Sequence, residues 1–107
     1  MTDISLLEKS LRHTFKDRGL LVEALTHKSF HHETPGSTVY NERLEFLGDS
    51  VLGLIVVEYL YGQEGYLKES LMSKIKSYVV KGSVLSEMAR EISIGDFMRL
   101  GKGEEDT

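Results

Sequence analysis

Three carboxylates, Glu42, Glu45 and Asp49, stand at i, i+3 and i+7 in a segment otherwise rich in Leu, Phe and Val. On a helix of about 3.6 residues per turn they line one face as an acidic stripe. Like charges at this spacing repel by roughly 0.2–0.5 kcal/mol per pair when exposed, and by more where water is excluded. Such a stripe calls for a cation, and a hard divalent metal, which takes oxygen ligands, suits it best. Glu45 and Asp49, at i and i+4, can aim their oxygens at one point. Phosphodiester hydrolysis at neutral pH needs an activated water and neutralisation of charge on the phosphate and leaving oxygen, and carboxylate-held Mg2+ supplies both. The plain alternative is a solvated face, or pairing with Arg43 or a lysine. The flanking Leu44, Phe46, Leu47, Val51 and Leu52 weigh against full solvation.

The elements that must position this stripe read as all-α, because no stretch sustains a period of two and there is a single Pro. Ile4, Leu7 and Leu11 fall at helical spacing in residues 4–13, with Asp3 as N-cap. Asp17 caps a second helix whose apolar face is Leu20, Leu21, Ala24 and Leu25, ending near Thr26 and His27. Residues 31–38, with Pro35-Gly36, read as a loop. A long helix is expected over residues 39–61, roughly 35 Å at about 1.5 Å per residue. Leu44, Leu47, Val51, Leu52, Leu54 and Ile55 make it apolar around most of its circumference, so it is expected to be the central, buried element. Gly48 and Gly53 each weaken it by about 1 kcal/mol relative to Ala, which predicts a close neighbour at both. After a break at 62–65, helices are expected at 67–81 and 83–92 with Gly82 as punctuation. A short turn near 94–100 then leads to Gly101-Lys102-Gly103 and an acidic tail. There is no internal repeat.

With 107 residues and 40% hydrophobic content, the chain is one domain or part of one and can bury a core. It has no Cys, which excludes disulfides and thiolate metal sites. The start has no basic segment leading into an apolar one, so no signal peptide is expected. The apolar-rich run from Val51 to Leu60 is too short to cross a bilayer. A cytoplasmic protein is the expectation. The net charge of −4 argues against nucleic acid when taken alone. The distribution tempers this, because residues 68–102 carry Lys68, Lys74, Lys76, Lys81, Arg90, Arg99 and Lys102 against Glu69, Glu87, Glu91 and Asp96.

Glu42-Arg43-Leu44-Glu45-Phe46-Leu47-Gly48-Asp49-Ser50 resembles the ribonuclease III signature at every position. Three further segments resemble that family in the right order: Ala24-Leu25-Thr26-His27-Lys28-Ser29-Phe30, Met72-Ser73-Lys74-Ile75-Lys76-Ser77-Tyr78-Val79-Val80, and Leu100-Gly101-Lys102-Gly103-Glu104-Glu105. The resemblance covers nearly the whole chain. It implies an all-α endonuclease domain with a long signature helix, a homodimer, and Mg2+-dependent cleavage of double-stranded RNA (Mn2+ a possible substitute) in RNA processing, ribosomal RNA included. By position, Glu45 and Asp49 match catalytic metal-binding carboxylates and Glu42 an acid at the dimer-proximal end of the cleft. Glu69 matches another cleft acid, although Ser70 follows it where the family usually has Gly. Phe46 matches an aromatic that enters a socket on the partner subunit. Lys74, Lys76 and Lys81 are candidate RNA-phosphate contacts, against the simpler reading of a solvated helix face.

The chain also departs from the family. The resemblance implies two further metal-site acids on a D-x-x-E helix after the G-x-G-E turn, which the sequence to Thr107 does not reach, and a double-stranded-RNA-binding domain that is not in this sequence. Residues 1–107 are therefore expected to be an endonuclease domain incomplete at its C-terminus, part of a longer enzyme and inactive alone. The alternative is a catalytically inactive dimerisation or RNA-binding module; a helical interaction domain with a chance signature is remote. His27 reads as a structural hydrogen-bonder rather than a metal ligand, and Met72, Met88 and Met98 as core filler.

Overall fold

A computed structural model describes residues 3–34, 36 and 39–102. Among them the secondary structure is helical: α1 (Ile4–Leu11), α2 (Arg18–Ala24), α3 (Lys28–Glu33), α4 (Glu42–Tyr61), α5 (Glu69–Val79), α6 (Gly82–Glu91) and a 3₁₀ turn at Ile94–Phe97. The strand-like feature is an isolated parallel bridge between Thr26 and Arg99. The two predicted caps form: Asp3 accepts from the Ser5 amide and Asp17 from the Gly19 amide, both at 2.9 Å. Each satisfies an orphan N–H of a first turn.

Leu7, Leu21 and Leu25 form the core, with Ile4, Phe15, Ile94, Phe97 and Met98 packed against it. The core thus lies between α1, α2 and the 3₁₀ turn, in a body measuring 53 × 27 × 23 Å. Glu8 closes the link between α1 and α2. Its carboxylate, 8% exposed, accepts from the Phe15 amide and from Arg18 Nη2, both at 2.8 Å. Of the three methionines read as core filler, Met98 packs on the core, Met72 is half-buried, and Met88 is half-exposed.

Several expectations need correction. Residues 31–38 are not all loop, because His31, His32 and Glu33 complete α3, whose N-cap is His27 accepting from the Ser29 amide at Nδ1. Pro35, Ser37 and Thr38 lie outside the described residues. The long helix begins at Glu42 rather than 39, since Val39 and Tyr40 are not helical and Asn41 is a turn. Gly82 is the first residue of α6, not a break before it.

The larger correction concerns burial. In α4 only Gly53 and Leu60 are buried. Phe46, Leu47, Leu54, Ile55 and Tyr59 are all more than half exposed. The helix packs chiefly against α5 and touches α2, and Leu47, Val51 and Leu54 remain exposed along it. Among those residues, no helix is long and apolar enough to cross a membrane.

Candidate active site

The segment Leu25–His27, between α2 and α3, is the hub that sets the stripe in place. On one side the His27 amide donates to the Arg99 carbonyl at 2.9 Å and the Arg99 amide to the Leu25 carbonyl at 2.7 Å. On the other side the Asn41 amide donates to the Thr26 carbonyl at 2.9 Å, and Asn41 Nδ2 to the Ala24 carbonyl at 3.1 Å. Thr26, 1% exposed, fixes the hub to α2 through its hydroxyl, which donates to the Val22 carbonyl at 2.6 Å. Asn41 then accepts from the Glu45 amide at 2.8 Å and so starts α4. Asn41 was not read from sequence as a functional residue. Its signal was present, since Asn is favoured just before a helix, although here its side chain ties to α2 instead of capping its own turn.

Glu45 and Asp49 follow one turn apart, both exposed. Neither has an ion-pair partner among the described residues, where the salt bridge is Arg18–Glu8. Two exposed, unneutralised carboxylates one turn apart suit a hard divalent ion that keeps several waters. No group of three or more acids, His or Cys gathers around them among the described residues. Glu42 belongs to the stripe but faces other neighbours. Its carboxylate stands beside the Tyr40 hydroxyl and raises the Tyr40 pKa above the ordinary phenol value. Glu42 also shares a hollow with Glu23, Arg43 and Phe46.

Glu69 opens α5 and lines a separate groove with Tyr61, Tyr66, Lys68 and Met72, so within this chain it is not gathered with Glu45 and Asp49. The three candidate lysines also part company. Lys76 lines the groove that contains Asp49. Lys74, two residues earlier on α5, cannot share its face. Lys81 caps α6 and holds its Nζ 5.8 Å from the centre of the Tyr78 ring. Arg99 sits 4.3 Å over the Phe30 ring, which takes it out of any basic stripe. Phe46 is 81% exposed, so core packing does not account for it. His27 is the structural hydrogen-bonder expected, bonded through Nδ1 to the Ser29 hydroxyl at 2.8 Å.

This is the architecture of a helical nuclease domain. Two structures of the nuclease domain of ribonuclease III from Campylobacter jejuni superimpose on it. One does so with a TM-score of 0.86 at 41% identity, covering 97% of this chain and 69% of that one. The other has a TM-score of 0.81 at 39% identity, covering 99% and 69%. The first is described as flexible in the region involved in dimer formation. Ribonuclease 3 of Caldanaerobacter subterraneus subsp. tengcongensis is 49% identical over 102 residues, which are 95% of this chain and 45% of that protein. Ribonuclease 3 of Hahella chejuensis is 46% identical over 98 residues, 92% of this chain and 41% of that protein. The model of the Ribonuclease-III-like family matches residues 17–107, and the chain belongs to that family. It spans less than half the length of these two curated relatives.

Proposed function

We propose that this chain is the greater part of the nuclease domain of an endoribonuclease that hydrolyses double-stranded RNA in RNA processing, as a homodimer. The observation that carries the reading is the pair Glu45 and Asp49, exposed, unpaired and one turn apart on the signature helix. These two would hold Mg2+, or Mn2+ in its place. When bound, the ion supplies an activated water and offsets charge on the phosphate. The chain's own residues do the positioning. Asn41 and Thr26 fix the first turn of α4 against α2, so the carboxylates need no reorganisation on meeting substrate. An A-form duplex would be read by shape and by contacts to phosphates and 2′-hydroxyls, with Lys74, Lys76 and Lys81 as backbone contacts. Phe46, on an open apolar face beside Glu42, would dock into a second copy.

The test is cleavage of a duplex RNA by the full-length protein with Mg2+. Glu45→Ala and Asp49→Ala are each expected to lower the rate by about 100-fold or more, with duplex binding largely kept. Unchanged cleavage in both variants defeats the reading. The alternative is an inactive dimerisation or RNA-binding module. A full-length protein that dimerises and binds duplex, yet cleaves with neither Mg2+ nor Mn2+, would establish that module.

A further inference from the structure

Gly53 is buried although most of α4 around it is exposed. The group that covers it is a lysine: a Cβ added at Gly53 would stand 3.3 Å from Lys76 Cε and 3.6 Å from Lys76 Nζ. Gly48, the other glycine within the helix, has nothing within 4 Å. Of the two glycines, then, only Gly53 is matched to a neighbour. It forms a notch over which the far end of Lys76, Cε and Nζ, reaches from α5 onto α4.

The notch has a particular address. Asp49 and Gly53 are i and i+4, one turn apart on the same face. Asp49, Ser50, Gly53, Lys76 and Val80 line one open groove of about 500 Å³. The end of Lys76 therefore lies in the groove that a proposed metal ligand also lines, at Gly53, whose backbone is about 6 Å along the helix axis from that of Asp49. It does not pair with that ligand, since Lys76 and Asp49 form no ion pair within 4 Å among the described residues. A lysine bonded to Asp49 would compete with a metal. One standing a turn away leaves the carboxylate available and adds a second positive point to the same groove. The anion that such a groove fits is a phosphodiester, which offers oxygens to a metal on one side and to an ammonium on the other.

We propose that Lys76, admitted by the Gly53 notch, binds the scissile phosphate beside Asp49 and acts in the reaction step, apart from the general grip on the duplex. This rests on the ribonuclease reading above. Lys74 and Lys81, directed elsewhere, take no part in it.

The experiment uses the full-length protein in four forms besides wild type: Lys76→Met, which keeps the stem over Gly53 and removes the charge; Lys76→Arg; Gly53→Ala; and Glu45→Ala. Single-turnover cleavage of a duplex with Mg2+, duplex affinity in EDTA, Mn2+ affinity by titration calorimetry and the thermal midpoint are measured for each. Lys76→Met is expected to slow cleavage by about 100-fold. Its duplex affinity should change by less than about threefold, one phosphate contact among many, and its Mn2+ affinity should hold or tighten. Lys76→Arg should restore most of the rate. Gly53→Ala should slow cleavage by about 10-fold without lowering the thermal midpoint, because its methyl displaces only the flexible end of Lys76. The proposal is overturned if Lys76→Met cleaves within about twofold of wild type, or if its rate falls only in step with duplex or Mn2+ affinity. If wild type does not cleave, or Glu45→Ala cleaves like wild type, the ribonuclease reading itself fails.

Discussion

The Gly101 amide donates to the Ser29 hydroxyl at 2.8 Å and so ties the chain beyond the 3₁₀ turn to α3. There is no room at this contact for a side chain. A Cβ on Gly101 would lie 2.9 Å from the Ser29 carbonyl and would overlap the Glu33 carboxylate. Glu33 cannot simply withdraw, since it accepts from the Lys102 amide at 3.2 Å. Gly101→Ala should therefore destabilise the fold by about 1–3 kcal/mol, the usual range for overpacking. Ser29→Ala, which leaves the amide of a buried Gly101 without its acceptor, should cost about 1 kcal/mol. Urea unfolding checks both, with the midpoint falling at an unchanged slope.

A second prediction concerns acid. The Glu8 carboxyl is held below the ordinary glutamate value of 4.5, first by the bond from the Phe15 amide and then by Arg18. Because the folded pKa is the lower one, Glu8 contributes stability that is fully present above about 4.5 and is lost as pH falls through the folded value. Glu8→Gln keeps an acceptor but not the charge. Its thermal midpoint should lie below wild type at about pH 7, and the gap should close as pH falls below about 4.5. A gap that stays constant down to about pH 3 would assign the loss to packing instead.

Much of this was legible in sequence, for local reasons. Asp3 and Asp17 announced helix starts because capping involves only the next few residues. Glu45 and Asp49 could be placed on one face because helical spacing alone does so. The α3 helix was missed because it is short, polar and capped by a histidine, and the Pro-Gly after it drew the loop reading back over His31 and His32. Burial of α4 was misjudged for a different reason. Leu47, Leu54 and Ile55 declare a surface that water should leave, but apolar content does not say what covers it. The cost of a mid-helix glycine predicted a close neighbour at both Gly48 and Gly53; it fails at Gly48, which has nothing within 4 Å, and holds at Gly53, where only the fold identifies the neighbour as Lys76.

The hub makes a third prediction, about the placement of the stripe. Asn41→Ala removes the bond to the Ala24 carbonyl while leaving Glu45 and Asp49 untouched. It should cost about 1 kcal/mol of stability. It should also slow duplex cleavage by the full-length protein more than it weakens duplex binding, since the carboxylates lose part of their fixed orientation. Asn41→Asp would retain an acceptor but not the donated bond, and should behave like Asn41→Ala. Full activity in both variants would show that α4 is held in place by other contacts.

Phe46 is the sharpest test of assembly. A phenylalanine 81% exposed beside Leu47, 58% exposed, adds to an apolar patch that a soluble monomer rarely displays. If this face docks a second copy, the ring is an aromatic anchor of that interface. Truncating such an anchor costs about 2 kcal/mol or more, which is about 30-fold in dimer affinity. Phe46→Ala should accordingly shift the full-length protein toward monomer in sedimentation experiments across a dilution series. Its monomer fold should survive, because Phe46 lies outside the Leu7, Leu21 and Leu25 core. A wild-type protein that sediments as a monomer throughout, or a Phe46→Ala variant with an unchanged dimer constant, would remove Phe46 from the interface.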